Sequence, residues 1–174
     1  LAVGFYNEDP ETGKIVRTDQ FELDVDGELT IVEAAAGKAR PALILVNDDD
    51  LTYTKLRFDE KSLKFAAENL YRFDDALARS VIWLAFWDMT RDGELPAKQF
   101  IETSLAALAT EHESTTFRYA LAQVSTTAWH YTAPADRAEV VEHVAAELFK
   151  LAQAAEAGSD EQFQLITAYL GYGE

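Results

Sequence analysis

Three consecutive carboxylates, Asp48, Asp49 and Asp50, in the stretch "LVNDDDLTYTKLRFDEKSLKF" are the densest concentration of chemistry in the chain. A calcium loop of the helix-loop-helix type needs carboxylates at alternate positions, a Gly at the sharp bend and a distant bidentate Glu. "NDDDLTYTKLRFDE" has neither the alternation nor the Gly. Neighbouring side chains also diverge, so three adjacent aspartates do not converge on one ion. Asn and Asp favour turns by bonding to their own backbone, and the stretch reads as a solvated turn.

The three histidines, His112, His130 and His143, raise the question of zinc. "HESTT" begins like the helical His-Glu-x-x-His motif, but Thr116 stands where the second imidazole belongs. "EVVEH" is the matching near miss for the inverted motif, with Glu139 in place of its first His. There is no Gly-x-Ser-x-Gly elbow and no glycine-rich phosphate loop; "STTF" and "STTAW" read as helix starts or helix faces. Trp83, Trp87 and Trp129 lie within apolar helical runs, which points to core packing rather than a stacking platform. Among 31 acidic residues nothing selects a catalytic pair. The sequence thus assigns no catalytic, cofactor-binding or metal-ligating residue.

Composition narrows the partners. A formal charge of −16, from 31 acids against 15 bases, repels a phosphate backbone, which argues against nucleic acid. The longest apolar run, "VIWLAFW" at 81–87, falls far short of the ~20 residues a membrane helix needs, so no membrane partner is expected. Absence of cysteine excludes disulfides and thiolate chemistry and is compatible with a reducing, cytoplasmic location. The opening "LAVGFY" lacks the features of a signal peptide, and a first residue other than Met suggests a piece of something longer.

Two periodicities divide the chain. Up to residue 58, "LAVGFY", "KIVRTDQFELDV", "ELTIVEA", "PALILV" and "LTYTKLRF" alternate or run apolar like strands, separated by turn-forming clusters. Asp26-Gly27 between two alternating runs is the strongest hairpin signal. In the last run, alternation puts Leu51, Tyr53, Lys55 and Arg57 on one side and Thr52, Thr54, Leu56 and Phe58 on the other. From Asp59, an expected N-cap, the period becomes helical, with Leu63, Ala66, Ala67 and Leu70 on one face. Further helices are expected from Asp75 to Arg91 (stopped by Gly93), from Pro96, over about 115–131, from Pro134 (with Val141, Val144, Ala145, Leu148 and Ala152 as its stripe), and from a capping box at Ser159 and Gln162 (with Phe163, Ile166 and Leu170 on one side). The expected fold is α+β: a small antiparallel β-sandwich over 1–58, followed over 59–174 by a solenoid-like domain of helix pairs.

The same segments carry a resemblance. "NDDDLTYTKLRFDEKSL" resembles the actinobacterial branch of the aminopeptidase N family of zinc metallopeptidases. That family reads Asn, a short turn, then Gly-Tyr-Tyr-Arg-Val-Asn-Tyr-Asp. Asn47, Tyr53 and Asp59 match, Lys55 stands for the Arg, Phe58 for the Tyr, and Thr52 departs from the Gly. "RSVIWLAFWDMTRDGEL" is similar to a helix of the family: Arg79 and Gly93 match, Ile82, Trp87 and Met89 are apolar replacements, and Ala85 departs from an Asp. Residues 87–92 fit the actinobacterial form. The resemblance covers 41–113 specifically and the rest by order of elements.

It implies a β-sandwich and the first part of a C-terminal helical domain in a zinc aminopeptidase that removes N-terminal residues from peptides. The Gly-x-Met-Glu-Asn loop, the His-Glu-x-x-His helix and the third-ligand Glu of that family are expected upstream; none occurs here, and no functional residue carries over. The implied partners are the upstream catalytic domain of the same polypeptide and, in the parent, peptides. The implied cofactor is zinc in the parent and none in this segment. Two other readings stand beside it: a free-standing helical-repeat module that binds protein or peptide, and an enzyme using an unrecognised carboxylate pair.

Overall fold

The computed structural model describes residues 1–173, which divide into two compact units, Leu1–Ala85 and Phe86 onward. The first holds one antiparallel sheet of three strands, β1 (Ala2–Glu8), β2 (Ile15–Glu22) and β3 (Leu43–Asp48), in the order β2-β1-β3. The α+β order of strands followed by helices is as expected, but three of the five expected strands form. Pairing sets Val3 opposite Phe21 and Val46, so the period of two collects Val3, Phe5 and Phe21 into one apolar cluster, joined by Val32, Ala35, Ile44 and Val46. Tyr6, Ile15, Leu43 and Leu45 are wholly buried as well.

Two expected strands do not form, and at each place a side chain bonds to nearby backbone. In 28–34 the Thr30 hydroxyl accepts from Asp26 N and donates to Asp26 O, closing a loop, and residues 33–35 form a 3-10 turn. Val32 packs on the sheet while Leu29 and Ile31 stay exposed. Asp26-Gly27 therefore makes no hairpin. In 51–58 the Asn47 amide donates to Thr52 O and accepts from Thr52 N, taking the place of a partner strand. Residues 51–55 are all exposed, Tyr53 fully, so the expected two-sided alternation is absent.

The first unit continues into α1 (Glu60–Asn69), capped as expected by Asp59, whose Oδ1 accepts from Lys61 N and Ser62 N, both at 3.1 Å. Arg40 pairs with the same carboxylate. Ser62 Oγ accepts from Ile44 N at 3.1 Å, which satisfies an edge amide of β3 and fixes α1 beside it. Helix α2 (Ala76–Arg91) ends at Gly93, whose φ of 77° is the left-handed conformation that a C-terminal cap requires.

The second unit holds α3 (Ala97–Leu108), α4 (Ser114–Thr126), α5 (Arg137–Ala154) and α6 (Asp160–Leu170). Pro96 is the residue before α3 rather than its first, and α5 begins three residues after Pro134, behind a turn closed by Asp136 N on Ala133 O. Phe100, Phe117, Val124, Val144 and Leu148 fill the core. Ser159 Oγ accepts from Gln162 N at 3.1 Å as the capping box requires, but the returning Gln162 Oε1 takes Gly158 N, one residue earlier than expected.

The apolar side of α6 faces out. Phe163, Ile166 and Leu170 are 69%, 43% and 65% exposed, and Leu165 is the side chain that enters the core. Accordingly Phe163→Ser should change the unfolding free energy by no more than about 0.5 kcal/mol in urea denaturation. A loss of several kcal/mol would mean that this face is covered.

Candidate functional site

The aspartate stretch is a turn, but not a fully solvated one. Asn47 is an extra residue in β3: Val46 pairs with Val3 and Asp48 with Ala2, and Asn47, at φ 56°, bulges between them. A second register shift, between Phe5 and Tyr6, brings Arg17 opposite Tyr6. The two shifts set Tyr6, Arg17 and Asp48 on one face. The Tyr6 hydroxyl donates to Asp48 Oδ1 at 2.8 Å, and Arg17 Nη1 donates to Asp48 Oδ2 at 2.9 Å and Asp49 Oδ1 at 2.7 Å. The Asp48 side chain is 2% exposed. Gly4 has no alternative, because a Cβ there would run into the Asp48 carboxylate.

The charges within this cluster are mutually committed. Burial, reinforced by the bond to Asp48, drives the Tyr6 hydroxyl far above the usual phenol range, and the bonds from Arg17 and then Gln20 hold Asp49 below the usual carboxylate range. Every oxygen of Asp48 and Asp49 faces a donor from the protein. Asp50 turns to the Asn47 amide, 3.2 Å away. Asp48 and Asp49 converge on the Arg17 guanidinium while Asp50 turns away, so the three carboxylates share no centre for a cation.

The histidines are scattered. His112 lies in the connection before α4, and Glu113 caps that helix, accepting from Thr115 N and Thr116 N. Those bonds depress the Glu113 carboxyl. His130 is exposed on the turn after α4. His143 Nε2 stands 3.0 Å from Glu102 Oε1 on α3, an ion-pair distance without the alignment of a hydrogen bond. Lys98 lines the same cleft of about 180 Å³ with Glu102, Glu139 and His143, and its charge opposes a cation there. Among the described residues no three His, Asp or Glu side chains are placed to hold a metal ion. The residues present therefore do not fit a zinc centre.

One aromatic surface was misread from spacing. Trp83 is buried as expected, but Trp129 is 37% exposed. It sits on a π-helical turn, Thr127–Tyr131, in which Thr132 N reaches back five residues to Thr127 O. Hydroxyls of Thr126 and Thr127 bond back to the carbonyls of Ala122 and Gln123, a pattern that bends helices. The turn swings Trp129 outward, where it stacks on Tyr172 with ring centroids 6.2 Å apart. Trp129, Pro134, Arg137, Val141, Ala145 and Tyr172 line an apolar groove of about 590 Å³. The hydroxyl-rich "STTAWHY" was the available signal.

These surfaces pack, present apolar area and cap helices. Residues 43–173 match the model of the family described as "ERAP1-like C-terminal domain". The chain belongs to that family. As an ERAP1-like C-terminal domain it is also similar to a protein named Aminopeptidase N from Streptomyces lividans, with 41% identity over 169 residues. The aligned part is 97% of this chain and 20% of that relative, so the chain spans about a fifth of its relative's length. The match to the ERAP1-like domain begins at the first residue of β3 and runs, among the described residues, through α1 to α6. None of the helices described is long and apolar enough to cross a membrane.

Proposed function

We propose that this chain is a non-catalytic C-terminal segment of a zinc-dependent aminopeptidase, which removes N-terminal amino acids from peptides, and that it shapes and closes the peptide cavity while the zinc site lies upstream. Its partners are then the upstream catalytic domain and the peptides that the parent cleaves. The observation that carries this reading is the 41% identity, across nearly the whole chain, to a protein named Aminopeptidase N. Residues 1–58 and 59–174 would serve as two successive domains of that enzyme. A cytoplasmic site of action agrees with the absence of cysteine. The chain's own residues supply no step of the hydrolysis; they supply walls, whose contacts with a long peptide differ from those with a short one.

The test uses the full-length parent with Tyr53→Ala, Trp129→Ala and Phe163→Ala, each at an exposed aromatic side chain. At least one is expected to change the ratio of kcat/KM for a ten-residue peptide to that for a dipeptide by about tenfold, as loss of about 1.4 kcal/mol of binding would. Zinc content and turnover of a single-residue substrate should stay unchanged. An unaltered ratio in all three would favour a free-standing interaction module, and loss of zinc would place the segment at the metal.

A further inference from the structure

We propose that Asp26 is a site of spontaneous isoaspartate formation, and that the folded structure directs this modification to Asp26 and away from the chain's other Asp-Gly pair, Asp92-Gly93. The reaction needs a backbone nitrogen free to swing onto the preceding side-chain carboxyl. Gly27 meets that need: Asp26 and Gly27 are exposed, a Cβ on Gly27 would meet nothing within 4 Å, and among the described residues its N–H has no hydrogen-bond acceptor. The Thr30 hydroxyl donates to Asp26 O at 3.1 Å. That carbonyl belongs to the peptide group whose nitrogen attacks, so the hydrogen bond draws electron density from the amide and makes its N–H more acidic.

Asp92-Gly93 has the same two residues in the opposite setting. Gly93 N donates to Thr90 O at 3.1 Å and Asp92 N to Asp88 O at 2.9 Å, as the end of α2 is capped. Attack there requires the cap to open first, and the rate falls with the population of the open form.

In the step itself Gly27 N bonds to Asp26 Cγ, the Cγ–OH bond breaks, and that hydroxyl leaves with a proton as water while the amide proton passes to solvent. The product is a five-membered imide. Water then adds to either imide carbonyl. Opening at the α-carbonyl leaves the chain running through the side-chain carboxyl, with the mass of the original protein and one more methylene in the backbone. Neither the cyclisation nor the opening needs an oxidant or a second substrate. Because residues 24–29 are exposed, the altered loop leaves the sheet intact.

The purified chain would be held for weeks at mildly acidic pH and 37 °C, folded or in denaturant. Isoaspartate would be quantified by enzymatic carboxyl methylation and by separation of the isomeric peptides. In the folded chain conversion at Asp26 is expected to exceed that at Asp92 by about tenfold or more, which corresponds to a cap-opening cost of about 1.4 kcal/mol or more. In denaturant the two rates should become equal within a small factor. Thr30→Val should slow Asp26 in the folded chain only, and Asp26→Glu should remove the signal. Equal rates in the folded chain, or the same ratio with and without denaturant, would overturn the proposal.

Discussion

Asp48→Ala is expected to destabilise the chain by about 2–4 kcal/mol, the cost of leaving a buried hydroxyl without an acceptor and a guanidinium with half its partners. Tyr6 is fully buried and has no water to turn to, whereas Arg17 is one-third exposed and keeps Asp49, so the loss stays below that of a wholly buried pair. Asp48→Asn retains an acceptor for Tyr6 and should cost less. Urea unfolding of both variants gives the comparison, and a cost below about 1 kcal/mol for Asp48→Ala would deny the cluster its structural role.

The same cluster sets a pH window. The folded pKa of Tyr6 is raised, so its contribution is fully present below the unfolded phenol value of about 10 and is lost as pH climbs above it. The folded pKa of Asp49 is depressed, so its contribution is present above about 3.9 and is lost as pH falls further. In an absorbance titration the Tyr6 phenolate should therefore emerge only as the chain unfolds in alkali.

How much of this was legible depends on what set each element. Helix boundaries followed local chemistry. Asp59, Gly93 and Ser159 act on amides within a few residues, and each works where the sequence placed it. The Tyr6–Arg17–Asp48 cluster was not legible because two register shifts create it. Unbroken alternation would have put Asp48 on the face of Ile44 and Val46, and one bulged residue, Asn47, moves it to the other face. The strands expected at 28–34 and 51–58 have the right pattern, but the Thr30 hydroxyl bonds back to Asp26 and the Asn47 amide takes the backbone of Thr52, and composition does not show which bond wins. For α6 the apolar residues were recognised from their spacing, and Phe163, Ile166 and Leu170 are exposed. The negative reading of the histidines rested on spacing alone; in the fold one lies before a helix, one on an exposed turn and one beside Glu102.

A segment that supplies walls should have no chemistry of its own, and this gives the second large effect. A zinc peptidase needs a metal-bound water, a general base and a grip on the free amine, all held in one preorganised cavity. His112, His130 and His143 are dispersed, and Glu113 is committed to capping α4. The most direct test is to purify this chain, dialyse it, measure its zinc content, and assay release of fluorophore from alanyl and leucyl aminocoumarin substrates, with His112→Ala and His143→Ala as controls for adventitious metal. The expected result is a folded chain with no stoichiometric zinc and turnover indistinguishable from buffer. One tightly held zinc per chain, with turnover abolished by either substitution, would contradict the account and make those histidines a catalytic site.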